Sequence, residues 1–387
     1  MTRIAFIHNR FPAGGAERIT ADIARYLLSF SGGYSVFVYA SHLGDTHSFS
    51  ECITFRQIPS QAIQSLRSKS IERLVIKDKI DILVQIGNSI CGIAGIKLRT
   101  SCKVVLACHG EVFWQRYSIM HNRQKHRLLW KLVYAKRYGD GELAYKKAKE
   151  RSARDYANCD AYTVLCKSYK SAFEKKLRID PNSSKVVAIE NPEPIVQYPQ
   201  LKKEKLALFC GRLENWSKRV DRLLEIWSMV EDKLPDWHLE IVGDGKDRTF
   251  LEWKSGELGL KRVVFKGHSD DVASYYRRAS ILCMTSQTEG WPLSLTEGMA
   301  QGCICIAFGC SDGVKEILAP SGECGFEISP FDCDEYATRL CYIANLNEEE
   351  QLVIRYNGIA KIKQYSPDII SEKWRVLFDN LMRNENL

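Results

Sequence analysis

Several features that would place a chain in a familiar class are missing from this sequence. No apolar run approaches the roughly 18–20 residues of a membrane span, and its 14 cysteines include no Cys-x-x-Cys pair. No His/Cys cluster has the spacing of metal ligands, so no metal ion is expected. The opening Met-Thr-Arg-Ile-Ala-Phe-Ile-His is an apolar run too short and too quickly broken for a secretory peptide, and it reads as a strand. The scattered cysteines, mostly in apolar runs, argue against a disulfide framework and for buried thiols in a reducing compartment. A cytoplasmic location follows as the expectation.

What is present is a folded two-core chain. Its 387 residues are 45% hydrophobic and 26% charged, enough for two domains and outside the range of disordered chains. The net charge of +8 is uneven. Residues 116–154 hold twelve Lys or Arg and three acids, interleaved with Leu128, Leu129, Trp130, Leu132, Val133 and Tyr134. Such a stretch fits peripheral contact with an anionic membrane surface, or a solvated helix face with one side packed. No nucleic-acid motif accompanies it, so no nucleic-acid partner is expected.

Short apolar runs alternate with helical patterns throughout. Ile4–His8, Val36–Ala40, Ile80–Gln85, Val104–Ala107, Tyr162–Leu165 and Lys185–Ile189 read as buried parallel strands. After Glu190-Asn-Pro-Glu-Pro194 the composition turns to Pro, Gln and Lys through Lys205, which marks a domain boundary. A second series follows: strands at Leu206–Cys210, Leu239–Val242, Val263–Lys266, Ile281–Met284 and Cys303–Phe308, with a helix at Val220–Leu234. The expected fold is α/β, with two Rossmann-like doubly wound domains facing a cleft. The boundaries are 1–190, a linker at 191–205, 206–364, and a terminal helix at 365–387 returning to the N-terminal domain.

The second series carries the chemistry. Glu289-Gly-Trp-Pro-Leu-Ser-Leu-Thr-Glu297 places two carboxylates eight positions apart, on a loop that opens into a helix. Such a loop aims unpaired N–H groups and the positive end of the helix dipole at one spot, which suits an anion. Ionised carboxylates beside it accept hydrogen bonds from sugar hydroxyls. A lone pair of acids also fits ordinary dipole-favoured helix starts. Arg212 and Lys218 flank the loop after Leu206–Cys210, where a planar fork and a point charge suit a diphosphate.

Five motifs in order resemble the retaining GT-B glycosyltransferases of family 4 (glycosyltransferases group 1). They are Gly-Gly-Ala-Glu-Arg at 14–18, Gly-Arg-Leu…Lys-Arg-x-Asp-x-Leu-Leu from 211, Val-Gly-Asp-Gly at 242–245, Phe-x-Gly at 265–267 and the Glu-x7-Glu segment. The resemblance implies transfer of a hexose or related sugar from a UDP-, GDP- or ADP-sugar to a glycan or lipid-linked acceptor, as in bacterial surface polysaccharide (lipopolysaccharide, O-antigen or capsule) synthesis. No cofactor is implied. Arg212 and Lys218 would hold the donor diphosphate, Glu289 the sugar hydroxyls and Glu297 the ribose, while His109 would meet the donor sugar from the N-terminal domain. The backbone at Leu293 and Ser294 would face the phosphates. Gly14, Gly15, Gly211, Gly243, Gly267 and Gly290 would let the donor approach closely. The family more often has Gly-Phe-Gly where this chain has Gly290-Trp291-Pro292, and proline removes one N–H. A same-fold epimerase or phosphorylase, or a non-catalytic nucleotide-sugar-binding protein, is the competing expectation.

Overall fold

The computed structural model describes residues 1–12, 15–30, 33–46, 53–60, 64–87, 99–113 and 141–383. The chain forms two compact units, one from residues 1–192 with 367–387 and one from residues 193–366.

The N-terminal unit runs β1 (Thr2–Phe11), α1 (Gly15–Ser29), β2 (Tyr34–Leu43), β3 (Ile53–Gln57), α2 (Gln64–Lys77), β4 (Ile82–Ile86), β5 (Lys103–Ala107), α3 (Gly141–Ala157), β6 (Ala161–Val164), α4 (Lys167–Leu177) and β7 (Val186–Ala188). Its strands form one parallel sheet in the order β3-β2-β1-β4-β5-β6-β7. Ile4 through Ile7 and Ile82 through Val84 are fully buried, as a sheet covered on both faces requires. On α1, Ile19, Ile23, Ala24 and Leu27 are buried, at the spacing of one helical face.

The second unit runs β8 (Glu204–Cys210), the one-turn α5 (Asn215–Lys218), α6 (Val220–Val230), β9 (His238–Val242), α7 (Arg248–Glu257), β10 (Val263–Gly267), α8 (Val272–Arg278) and β11 (Ala279–Met284). It continues with α9 (Leu293–Ala300), β12 (Ile304–Phe308), α10 (Asp312–Leu318), β13 (Phe326–Ile328), α11 (Cys333–Ala344) and α12 (Glu348–Ile362). The six strands are parallel in the order β10-β9-β8-β11-β12-β13. Trp227 of α6 is wholly buried in a core with Leu223, Leu239, Ile241 and Ile281. The strand order reverses between β8 and β11, and a crevice opens at such a reversal, at the carboxyl ends of the strands.

The last helix, α13 (Pro367–Arg383), belongs to the N-terminal unit. It buries Ile370, Trp374, Leu377, Phe378 and Leu381, with Phe378 edge-on to Phe6 of β1 at 6.5 Å. Tyr34 donates to Asp379 at 2.5 Å and Tyr26 to Glu372 at 3.1 Å.

Some expected bounds shift for local reasons. The helix expected over 220–234 ends at Val230, and a 3₁₀ turn covers Glu231–Lys233. The expected linker is not a bare connection either: the second unit begins at Glu193, a buried residue whose N–H donates to the Tyr365 carbonyl at 2.8 Å. Most of the basic stretch, residues 116–140, lies outside the described residues. In the described part of α3, Ala148 and Ser152 are buried and Arg154 is exposed, so one side of the helix is packed and its charge is solvated.

Candidate functional site

Two loops leave the carboxyl ends of β8 and β11, neighbours in the sheet though far apart in sequence. The first carries Lys218 and the second Glu289. Lys218 Nζ donates to Glu289 Oε1 at 2.7 Å, and Ser286 Oγ donates to the same oxygen at 2.7 Å. Both ion-pair side chains are mostly buried, so the pair is screened less than a surface pair would be.

A framework holds the two loops in register. The Gln287 N–H donates to the Ser217 carbonyl at 2.7 Å, and Thr285 Oγ1 donates to the Arg219 carbonyl at 2.9 Å. Arg222 reaches from the first turn of α6 to Gln287 Oε1 at 2.7 Å, its guanidinium 4.4 Å from the Phe331 ring. Arg219, at φ 50° between two short helices, pairs with Asp221 through two 2.9 Å bonds.

A third loop, after β9, packs directly onto the first. A Cβ on Gly243 would lie 1.9 Å from the Gly211 carbonyl oxygen, and one on Gly245 would lie 2.5 Å from that of Leu213. The backbones touch, with Gly211 N–H donating to Val242 at 3.0 Å and Leu213 N–H to Asp244 at 3.0 Å. The Val-Gly-Asp-Gly run thus has a packing reason in its own right. Gly267 closes β10 at φ 78°.

Helix α9 opens right after the second loop. Pro292 is its N-cap in extended conformation, and Leu293 and Ser294 are its first two residues. N–H groups in a first turn have no helical carbonyl ahead of them. Glu297, one turn on, accepts from the Tyr276 hydroxyl at 3.1 Å. Burial, with Cys210 and Glu297 alongside, pushes Tyr276 well above the usual tyrosine range, and burial raises the Cys210 thiol to about 11. Thr296 donates to the buried Glu193 carboxylate at 2.8 Å. Trp291 is buried against Tyr365, ring centroids 5.0 Å apart, and its indole N–H has no acceptor among the described residues.

Lys218, Glu289 and the start of α9 therefore stand together. Arg212 does not join them: its side chain is 77% exposed, and its ion pair is with Glu214 at 3.6 Å. In the N-terminal unit, His109 lies two residues past β5. Burial pushes its imidazole down to about 4, with His8 adding to the effect and Glu17 and a hydrogen bond with Asn191 opposing it. His8 is buried, with Nε2 2.9 Å from Thr20 Oγ1 and Nδ1 3.6 Å from Glu17. Gly14 lies outside the described residues, and Gly15 begins α1.

Sequence reasoning passed over Ser286, Gln287, Arg222, Tyr276, His8 and Glu17. Ser286 and Gln287 were within reach, three and two positions before Glu289. Tyr276 and Arg222 carry no local signal, since only the fold brings them in. The Asp-x-Asp run Asp332-Cys333-Asp334, also passed over, serves the start of α11, where Asp332 caps the helix by accepting from the Glu335 N–H at 2.9 Å. Among the described residues no group of three or more His, Cys, Asp or Glu is placed to hold a metal ion, and no helix is long and apolar enough to cross a membrane.

A cation and a helix start suited to an anion thus adjoin two carboxylates suited to hydroxyls. Residues 192–360 match the family model described as glycosyl transferases group 1, and residues 13–192 match glycosyltransferase family 4. The chain is similar to an uncharacterized glycosyltransferase of Haemophilus influenzae, 28% identical over 96% of this chain and 98% of that protein. Over 57% of this chain and 60% of the relative it is 28% identical to the Campylobacter jejuni GalNAc-alpha-(1->4)-GalNAc-alpha-(1->3)-diNAcBac-PP-undecaprenol alpha-1,4-N-acetyl-D-galactosaminyltransferase. Over 48% of this chain and 54% of the relative it is 26% identical to a Salmonella typhimurium lipopolysaccharide 1,6-galactosyltransferase. In fold it resembles Anabaena Alr3699/HepE, solved in complex with UDP and glucose, with a TM-score of 0.73 at 16% identity over 98% of this chain and 100% of that one.

Proposed function

The chain belongs to the group 1 glycosyltransferases, with an N-terminal half of glycosyltransferase family 4 and the GT-B α/β fold, and on that premise we propose a specific reaction. It moves a hexose or related sugar, with retention at the anomeric carbon, from a UDP-, GDP- or ADP-sugar to a glycan or lipid-linked glycan. The setting is bacterial surface polysaccharide synthesis on the cytoplasmic face of the membrane. The names of the Campylobacter and Salmonella relatives support that acceptor class and that setting.

The observation that carries the reading is the Lys218–Glu289 pair at the strand-order reversal, beside the first turn of α9. Lys218 would meet the departing diphosphate together with the N–H groups of Leu293 and Ser294. Glu289 would accept hydroxyls of the donor sugar, and Glu297 those of the ribose. Arg212, exposed on its loop, would swing onto the phosphates when donor binds. The departing diphosphate gathers charge as the glycosidic bond lengthens, and groups already aimed at that charge lower the barrier most. His109, held neutral, would donate to or accept from a sugar hydroxyl.

The deciding experiment is a thermal-shift panel of nucleotide sugars and nucleoside diphosphates. A ligand of the native state raises the melting temperature with its occupancy. One base is expected to raise it, and Glu297→Ala to abolish the shift. No shift with any nucleotide counts against the reading, and turnover that ignores added acceptor favours the epimerase or phosphorylase alternative.

A further inference from the structure

Arg67 of α2 is 96% buried and pairs with no acid among the described residues. Its exposed fraction is 4%, and its Nη1 donates to Asn9 Oδ1 and Ser41 Oγ, both at 3.0 Å. Its Nη2 donates to the His8 carbonyl at 3.3 Å. All three acceptors are neutral. A guanidinium has five N–H donors and keeps its charge in proteins, so two donors, Nε–H among them, lack an acceptor among the described residues. Burial lowers its pKa, and no carboxylate among the described residues opposes that effect. Burying a charge without a counter-charge is costly, and an anionic ligand is one way to supply it.

Its position sets it apart from another buried arginine of the chain. Arg355 also has neutral partners, but it makes four bonds, to the Ser280 and Gly302 carbonyls, Ser280 Oγ and Gln351 Oε1, at the amino ends of β11 and β12. That arrangement is a structural clamp at the edge away from ligands. Arg67 instead lies at the carboxyl edge of its sheet, beneath the late residues of β1 and β2. Asn9, whose oxygen it holds, is exposed, and so is Arg10. The Asn9 Nδ2 and the Arg10 guanidinium make no bond among the described residues.

We propose that Arg67, Asn9 and Arg10 form an anion subsite in the N-terminal unit that takes the phosphate or diphosphate of a phosphorylated acceptor. This rests on the reading of the chain as a glycosyltransferase. The edge of the Arg67 fork left without an acceptor, Nε–H with one Nη2 hydrogen, has the geometry for two oxygens of one phosphate, and Arg10 with the Asn9 amide suits a second. The diphosphate of a lipid carrier and the phosphate of a soluble sugar phosphate share this chemistry.

The test is titration of inorganic pyrophosphate into the full chain, with the donor site first filled by the nucleoside diphosphate that shifts its melting temperature. Saturable binding is expected, weakened at least tenfold in Arg67→Gln and in the exposed-site double variant Asn9→Ala/Arg10→Ala, and less in Arg67→Lys. No binding to wild type, or equal binding in the double variant, overturns the subsite. The double variant decides the matter if Arg67→Gln does not fold. Nucleotide affinity should be unchanged in every variant; if no nucleotide binds, the donor reading fails separately, and the pyrophosphate titration run alone still judges the subsite. Competition by a short prenyl diphosphate but not by glucose 1-phosphate assigns the lipid source, and the reverse assigns the soluble one.

Discussion

At the scale of single residues, the candidate site was half legible. Glu289, Glu297, Lys218 and Arg212 could be picked out because each sits in a loop just past an apolar run or within a turn or so of a helix start, and the sequence displays both. What the sequence could not display is the choice between Lys218 and Arg212 as partner of Glu289. That depends on the bonds from Gln287, Thr285 and Arg222 that pull one loop against the other. Removing one group that stabilises transition-state charge typically costs about a hundredfold to a thousandfold in rate. Lys218→Ala and Arg212→Ala are each expected to lose that much turnover in an acceptor-dependent assay, with circular dichroism unchanged. Near-wild-type turnover in either variant removes that residue from the mechanism.

His109 makes a second residue-scale prediction, on pH. Its native pKa of about 4 lies below the ordinary 6.5. Between those values the unfolded chain takes up a proton that the native state does not, so stability falls as pH drops from 6.5 to 4 and this loss levels off below 4. The His109 ring is expected to stay neutral at pH 5.5 in a histidine NMR titration, and His109→Gln to flatten part of the acid loss of stability in urea unfolding. An ordinary titration midpoint near 6.5 would refute the burial account.

At the scale of elements, the strands of both sheets announced themselves, because a parallel strand covered on both faces must be apolar along its length. β3 and β13 escaped notice. Ile53-Thr-Phe-Arg-Gln and Phe326-Glu-Ile are edge strands with polar residues among the apolar ones, so no continuous run marks them. Glycines were read as ligand clearances, and the contact between the loops after β8 and β9 adds a second cause. Gly243 sits at φ 131° with a neighbouring carbonyl oxygen where its side chain would go. Gly243→Ala is expected to cost more than about 2 kcal/mol in denaturant unfolding, through strain and clash together. Gly256 in α7 is the control: open space surrounds it, and Gly256→Ala should stabilise by about 0.5–1 kcal/mol. Equal effects of the two substitutions would show that the loop contact is loose.

At the scale of the whole molecule, the two-unit division followed from the alternating pattern and the composition change after Glu190. The burial of Glu193 did not, because its partners Thr296 and Tyr365 are more than a hundred residues away. A chain cut after Ser366 would lose five large buried side chains with α13, each worth about 1.5–3 kcal/mol when buried, and would bare the surface around Phe6 that they cover. That sum rivals the entire stability of a domain. The shortened chain is expected to lose the cooperative melting of the N-terminal unit while residues 193–366 still melt cooperatively, as two-step calorimetry would resolve.

The return of α13 also has a consequence in time. Domains usually form in the order in which the ribosome delivers them. Here the first unit needs residues 367–383, made after every residue of the second. The nascent N-terminal sheet must therefore wait with the face of α1 and Phe6 uncovered, while the second unit can close on itself as soon as Ser366 has emerged. The half of the protein that is made first is the half that is finished last.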